Sequence, residues 1–238
     1  MKVRYLIKFS KESEIKFVGH LDLMRTIQRM MKRSGLPVAY SQGFNPHINL
    51  SLAQPLAVGI YSSGDYFDAP LEEDVPELKV KEALNQSAPP GIRIFEVVKI
   101  KEEDDHQKVF KSMAVIDAAK YTIRIRYKNT DLLNEEMKAL FEMKEWNIVK
   151  KSKRQEKEVD IRTMIKDIEY KVVEKILVIE AVVSCGSREN LSPELIAQFV
   201  KIHTTNWDSE AFTDIKRQEM YAALENKLIP LYKFVKMR

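Results

Sequence analysis

The sequence predicts a mixed α+β chain of two tandem ferredoxin-like (split β-α-β) units, on three observations. Period-two apolar stretches and helical stripes take turns along the chain, the order β-α-β, β-α-β shows in its first half, and a similar order returns in its second. The charged segment Lys101 to His106 is the expected joint, giving one unit over residues 1–103 and another over 104–238. No matching residues recur at a fixed period, so the tandem arrangement rests on element order.

Val3, Tyr5, Ile7 and Phe9 alternate with Lys2, Arg4, Leu6 and Lys8, the pattern of a half-buried strand. Gly19 can cap a following helix, whose stripe Leu23, Ile27, Met30 and Met31 ends before Gly35. Leu36 to Tyr40, Ile48 to Ala53 and Asp65 to Leu71 read as extended, with Pro55 and Gly64 as punctuation. Leu78, Val80 and Leu84 place a helix over Val75 to Gln86, and Ala88-Pro89-Pro90-Gly91 breaks it before a strand at Ile92 to Ile100. Val109 to Ile116 is apolar enough to pack. Lys120 to Tyr127 then reads as strand, Asp131 to Met143 as helix, and Trp146 to Asp160 and Asp167 to Val183 as strand regions. Ser192 and Pro193 suit the start of a helix running to about Lys201, and Thr213 to Tyr221 returns as a final strand.

At 238 residues, 45% hydrophobic and 31% charged, the composition is that of a folded globule. No apolar run is long enough to span a bilayer, and Met1-Lys2-Val3-Arg4 leads into an alternating segment, so a cytoplasmic protein with no membrane partner is expected. The single cysteine, Cys185, excludes an internal disulfide and any cysteine-rich zinc or iron–sulfur site supplied by this chain alone. The net charge of +4 is a small difference between 39 basic and 35 acidic residues, so local clustering must decide whether nucleic acid is a partner.

Clustering is found in the first helix. With its apolar stripe inward, Asp22, Arg25, Gln28, Arg29, Lys32 and Arg33 fall largely on the outer face, and Arg25 and Arg29 are one turn apart. Such a row can hold phosphate. It can equally be a solvated face whose cations complement the helix C-terminus. The loop Ser41 to His47 adds amides at Gln42 and Asn45, an imidazole at His47 and a flat ring at Phe44, between Gly43 and Pro46. An aromatic ring flanked by amides can stack on a base and read its edge. A rigid turn with Phe44 buried is the structural alternative.

His20, Asp22 and His47 also permit a metal or acid–base reading, with His20 and His47 as the catalytic candidates. On a helix, His20 and Asp22 point about 200° apart, so both reach one ion only if the helix begins after them. No metal and no cofactor is therefore assigned to this chain. Lys150, Lys151, Lys153, Arg154 and Lys157 form a second basic cluster at a turn, which also suits a strand edge protected from pairing, and Trp146 beside it suits the core. Ser184-Cys185-Gly186-Ser187 lacks the spacing of a nucleophile turn or phosphate loop and reads as a loop with a half-buried thiol.

Phe17-Val18-Gly19-His20-Leu21-Asp22-Leu23-Met24-Arg25, Arg33-Ser34-Gly35-Leu36-Pro37 and Tyr40-Ser41-Gln42-Gly43-Phe44-Asn45-Pro46-His47 together resemble the radical SAM-linked proteins. The likeness continues through Pro55-Leu56-Ala57-Val58-Gly59 and Gly64-Asp65-Tyr66-Phe67-Asp68. That family is uncharacterised, and its members occur beside or fused to a radical S-adenosylmethionine protein. The resemblance implies such an enzyme as partner and an RNA or ribosome-related setting, and it assigns no catalytic residue. The expected function is an auxiliary, RNA-binding or substrate-presenting protein, with Arg25, Arg29, Lys32, Arg33, Gln42, Phe44, Asn45 and His47 as the contact residues. By architecture the chain is also similar to the RAMP-type proteins that process CRISPR repeat RNA, which keeps open a metal-independent acid–base endoribonuclease. A protein scaffold without RNA binding is the third reading.

Overall fold

The structure is a computed structural model and describes residues 2–101, 111–151 and 156–238. Its elements run β1 (Val3–Lys11), α1 (His20–Arg33), β2 (Ser51–Leu52), β3 (Tyr61–Leu71), α2 (Glu77–Ser87), β4 (Ile94–Ile100), α3 (Ser112–Val115) and β5 (Ala118–Arg126). They continue as α4 (Leu133–Glu142), β6 (Asn147–Lys151), β7 (Glu156–Asp160), β8 (Ile165–Val173), β9 (Ile176–Ser184), α5 (Pro193–His203), β10 (Asp214–Leu224), β11 (Lys227–Pro230) and α6 (Leu231–Lys236). This is a mixed α+β protein. Among the described residues no helix is long and apolar enough to cross a membrane.

Contacts divide the chain into two compact units, Met1–Ala118 with Arg217–Arg238, and Ala119–Lys216. The joint expected at 103/104 lies outside the described residues. In the first unit β1 is central: it pairs antiparallel with β3, Ile7 opposite Phe67, and with β4, Ile7 opposite Val97. β2 pairs antiparallel with β3, and β10 also lies beside β3 and carries β11. Tyr5, Ile7 and Phe9 of β1 join Phe67 and Ala69 of β3, Leu23, Ile27, Met30 and Met31 of α1, and Val80 and Leu84 of α2 in one core. Each buried Val, Leu, Ile, Phe or Met side chain among them contributes about 1.5–3 kcal/mol relative to exposure. Phe9 and Phe67 meet edge to face with centroids 5.4 Å apart.

The helical stripe and its stop signal act as read. The Leu23 N–H donates to Gly19 O at the start of α1, and Gly35, at φ 72°, takes the left-handed turn that ends it. The strand expected over Leu36 to Tyr40 is reduced to two isolated bridges, Val38 to Leu71 and Tyr40 to Ile48. Ile48, Leu50 and Leu52 are buried while Asn49 and Ser51 are exposed, yet only Ser51 and Leu52 join a ladder. Alternation reports one buried face, and a chain lying across a core acquires that face without a full set of ladder bonds.

In the second unit β8 and β9 form an antiparallel hairpin, with β5 beside β9, and β6 and β7 make a separate two-stranded ladder. Trp146 is buried, as expected, and stacks on Phe199 at 4.9 Å. Lys153 and Arg154 of the second basic cluster lie outside the described residues. Cys185 is fully buried rather than half-buried.

Candidate functional site

The site is built from the outer face of α1 and the loop that follows it. His20 opens the helix, partly buried, and its Nδ1 has no hydrogen-bond partner among the described residues. Asp22 and Arg25 form an exposed ion pair at 3.0 Å, a contact that holds the guanidinium loosely. Arg29 and Lys32 are exposed, and neither has an ion pair or hydrogen bond among the described residues. Arg33 donates from Nη2 to the Ser87 carbonyl at 3.0 Å, satisfying an acceptor at the C-terminus of α2. The basic row is thus uneven: one cation tied to a carboxylate, one to a carbonyl, and two open to a ligand.

The turn ahead of α1 is held from beneath. Lys11 buries its ammonium and donates to Lys16 O at 2.9 Å, and the Gly59 N–H donates to the same oxygen at 2.9 Å. Burial pushes the pKa of Lys11 below its usual value, with Asp65 opposing and Arg217 adding to that effect. Arg217 donates to Asp65 Oδ1 from Nε and Nη2 and to Gln54 O from Nη2. On the same strand Glu219 receives Tyr66 OH at 2.6 Å and Lys8 Nζ at 2.5 Å, and Asp68, its pKa raised by burial, accepts from the N–H and hydroxyl of Ser112. These interior charges support the frame on which α1 and its loop sit.

The loop is a closed structure. Tyr40 and Ile48 bridge at its base, Ser41 N–H donates to His47 O at 2.8 Å, and His47 N–H donates to Ser41 Oγ at 3.1 Å. Ser41 Oγ also lies 2.9 Å from His47 Nδ1. Gly43 has φ 120°, a backbone state that side chains resist. Gln42, Phe44, Asn45 and His47 are all exposed, and the Phe44 ring stands free at 110% relative exposure. The alternative of a buried Phe44 is therefore set aside.

Gln42, Phe44, Asn45 and His47 share one loop, and Arg29 and Lys32 share the second half of α1, which the Leu36 to Tyr40 segment joins to that loop. His20 stands at the other end of α1, about 20 Å along the axis from Arg33. His20 and His47 have no hydrogen-bond partner in common. Among the described residues no group of three or more His, Cys, Asp or Glu could hold a metal ion. Sequence reasoning passed over Ser41, because a hydroxyl bonded to an imidazole six residues later has no periodic signature. It also passed over Lys11, which alternation alone cannot distinguish from a surface lysine.

One chain of a Cbf5–Nop10–Gar1 complex is similar at 10% identity and a TM-score of 0.49, over 98% of this chain and 54% of that one. The chain thus spans about half the length of that neighbour. An unknown protein from Galdieria sulphuraria is similar at 8% identity and a TM-score of 0.26, over 94% of this chain and 100% of that one. None of the curated proteins matches the sequence. A family model described as an uncharacterised protein conserved in bacteria covers residues 4–193, which include the helix and the loop, and the chain belongs to that family, DUF2344.

Proposed function

We propose that the chain is an auxiliary RNA-recognition protein of the cytoplasm that presents an RNA-related substrate to a separate radical S-adenosylmethionine enzyme. Its two units are, on this proposal, tandem ferredoxin-like folds: β4-β1-β3-β2 has the strand order of a split β-α-β unit, and β5-α4-β8-β9-α5, with the β6-β7 ladder inserted after α4, has the element order of a second. The observation that carries the RNA reading is a ring held wholly in water, Phe44, on a loop that the Leu36 to Tyr40 segment joins to a helix whose Arg29 and Lys32 are unpaired among the described residues. Arg29 and Lys32, with Arg25 after release from Asp22, would hold phosphates, while the loop meets the base.

Cluster chemistry belongs to the partner, since one buried cysteine does not make the three-thiolate set that such a cluster takes. Arg29→Glu is expected to weaken RNA binding and flatten its dependence on salt, as read by titration at several ionic strengths; binding that ignores salt counts against phosphate contacts. Affinity capture from cells, with bound proteins and crosslinked RNA both identified, tests the partnership. Recovery of neither a radical enzyme nor RNA would overturn it. Cleavage of an RNA pool by the purified chain, lost in His20→Ala or His47→Ala, would instead favour the acid–base ribonuclease.

A further inference from the structure

Hydrogen bonds at the loop anchor one imidazole through its Nδ1 side. The backbone N–H of His47 donates to Ser41 Oγ, so the hydroxyl's own proton is free for another acceptor, and His47 Nδ1 stands 2.9 Å away. The contact of Nδ1 with the Asn45 carbonyl is long, at 3.4 Å. Nδ1 is thus engaged on the Ser41 side, and Nε2 is the ring nitrogen left to meet a ligand. The loop therefore offers the Nε2 side of the ring next to the Gln42 and Asn45 amides, which are exposed.

Phe44 adds a flat apolar face to the same loop. A phenyl ring at 110% exposure forgoes the stabilisation that burial would contribute, although a packed core lies beneath the same segment at Ile48 and Leu50. Gly43, at φ 120°, turns the backbone where the ring projects, and the bonds between Ser41 and His47 hold the loop closed without help from that ring. A rigid loop that keeps an aromatic face in water suits a flat partner. Bases inside a duplex have both faces covered by their neighbours, whereas an unpaired base has a face to give.

We propose that the loop takes an unpaired nucleotide of a single strand. Phe44 stacks on the base, His47 Nε2 hydrogen-bonds the base edge, and Arg29 and Lys32 hold flanking phosphates. This rests on the RNA-recognition reading above and narrows its ligand from RNA in general to a strand with an open base.

The test uses the full chain and a labelled single-stranded RNA of about 12 nucleotides, free or annealed to its complement, followed by fluorescence anisotropy. The single strand should bind at least about tenfold more tightly than the duplex. Phe44→Ala should weaken single-strand binding by about 5- to 150-fold and leave duplex binding and thermal midpoint unchanged, and Phe44→Trp should restore affinity. Equal affinity for both RNA forms, with Phe44→Ala silent, sinks the unpaired-base inference and leaves RNA recognition standing. Binding of neither form by the wild-type chain removes the RNA reading and this inference with it. Loss of a captured protein partner in Phe44→Ala, with RNA binding intact, makes the ring a protein anchor and overturns the proposal.

Discussion

Lys11 ends β1 with its ammonium in the interior, and its burial has a measurable pH signature. An unfolded lysine keeps its proton to about 10.5, and burial lowers that value in the folded chain. Between the lowered value and 10.5 the folded protein binds fewer protons than the unfolded one, so stability rises with pH across that window and the gain is absent below it. Lys11→Met has no such proton to lose. The difference in thermal midpoint, wild type minus variant, should therefore grow as pH is raised from neutral toward 10; a flat difference would mean that Lys11 titrates like a surface lysine. At this scale the sequence was legible wherever chemistry is carried on the outside. Phe44, Asn45, Arg29 and Lys32 could be picked out because their residue types are informative in a loop or on a polar face. Arg33 looks the same as Arg29 in sequence, and only the nearness of Ser87 shows that one of its donors is already engaged.

Among the elements, β3 is tightly constrained by a neighbour at Gly64. A Cβ built on Gly64 would stand 2.3 Å from the Gln218 carbonyl oxygen and 2.6 Å from Glu219 Cα, both backbone atoms of β10. Gly64→Ala must push two strands apart and should cost about 1–3 kcal/mol or more, read from the urea midpoint. An unchanged midpoint would mean that the strands separate freely. The longer helices could be placed from sequence to within a few residues because apolar spacing and breakers agree, as at Leu23 to Gly35 and at Pro193. β11 and α6 were not. The turn before β11 puts Glu225 and Asn226 at positive φ, a hairpin geometry whose usual marker, Asn-Gly, is missing. Leu231 and Val235 of α6 are buried at helical spacing, but a helix of that length gives periodicity too little room to declare itself.

At the scale of the molecule, the first unit is completed by residues from the far end of the chain. Ending the chain after Lys216 would take away Arg217 from Asp65 and Glu219 from Lys8 and Tyr66. A buried carboxylate stripped of its partner costs about 3–5 kcal/mol, and β3 would also gain an open edge. The shortened chain should lose its cooperative urea transition and its near-ultraviolet circular dichroism, whereas an unaltered transition would show the unit to be self-sufficient. Sequence order could not announce this arrangement, because adjacent elements are the default neighbours and nothing local links Asp65 to Arg217. The same separation has a cost in time. A ribosome adding about 5–20 residues per second needs roughly 8–30 s to cover the distance between those two residues, which is 152 positions. Until Arg217 emerges Asp65 has no guanidinium to meet it, so closure of the first unit is among the last events of synthesis rather than one of the first.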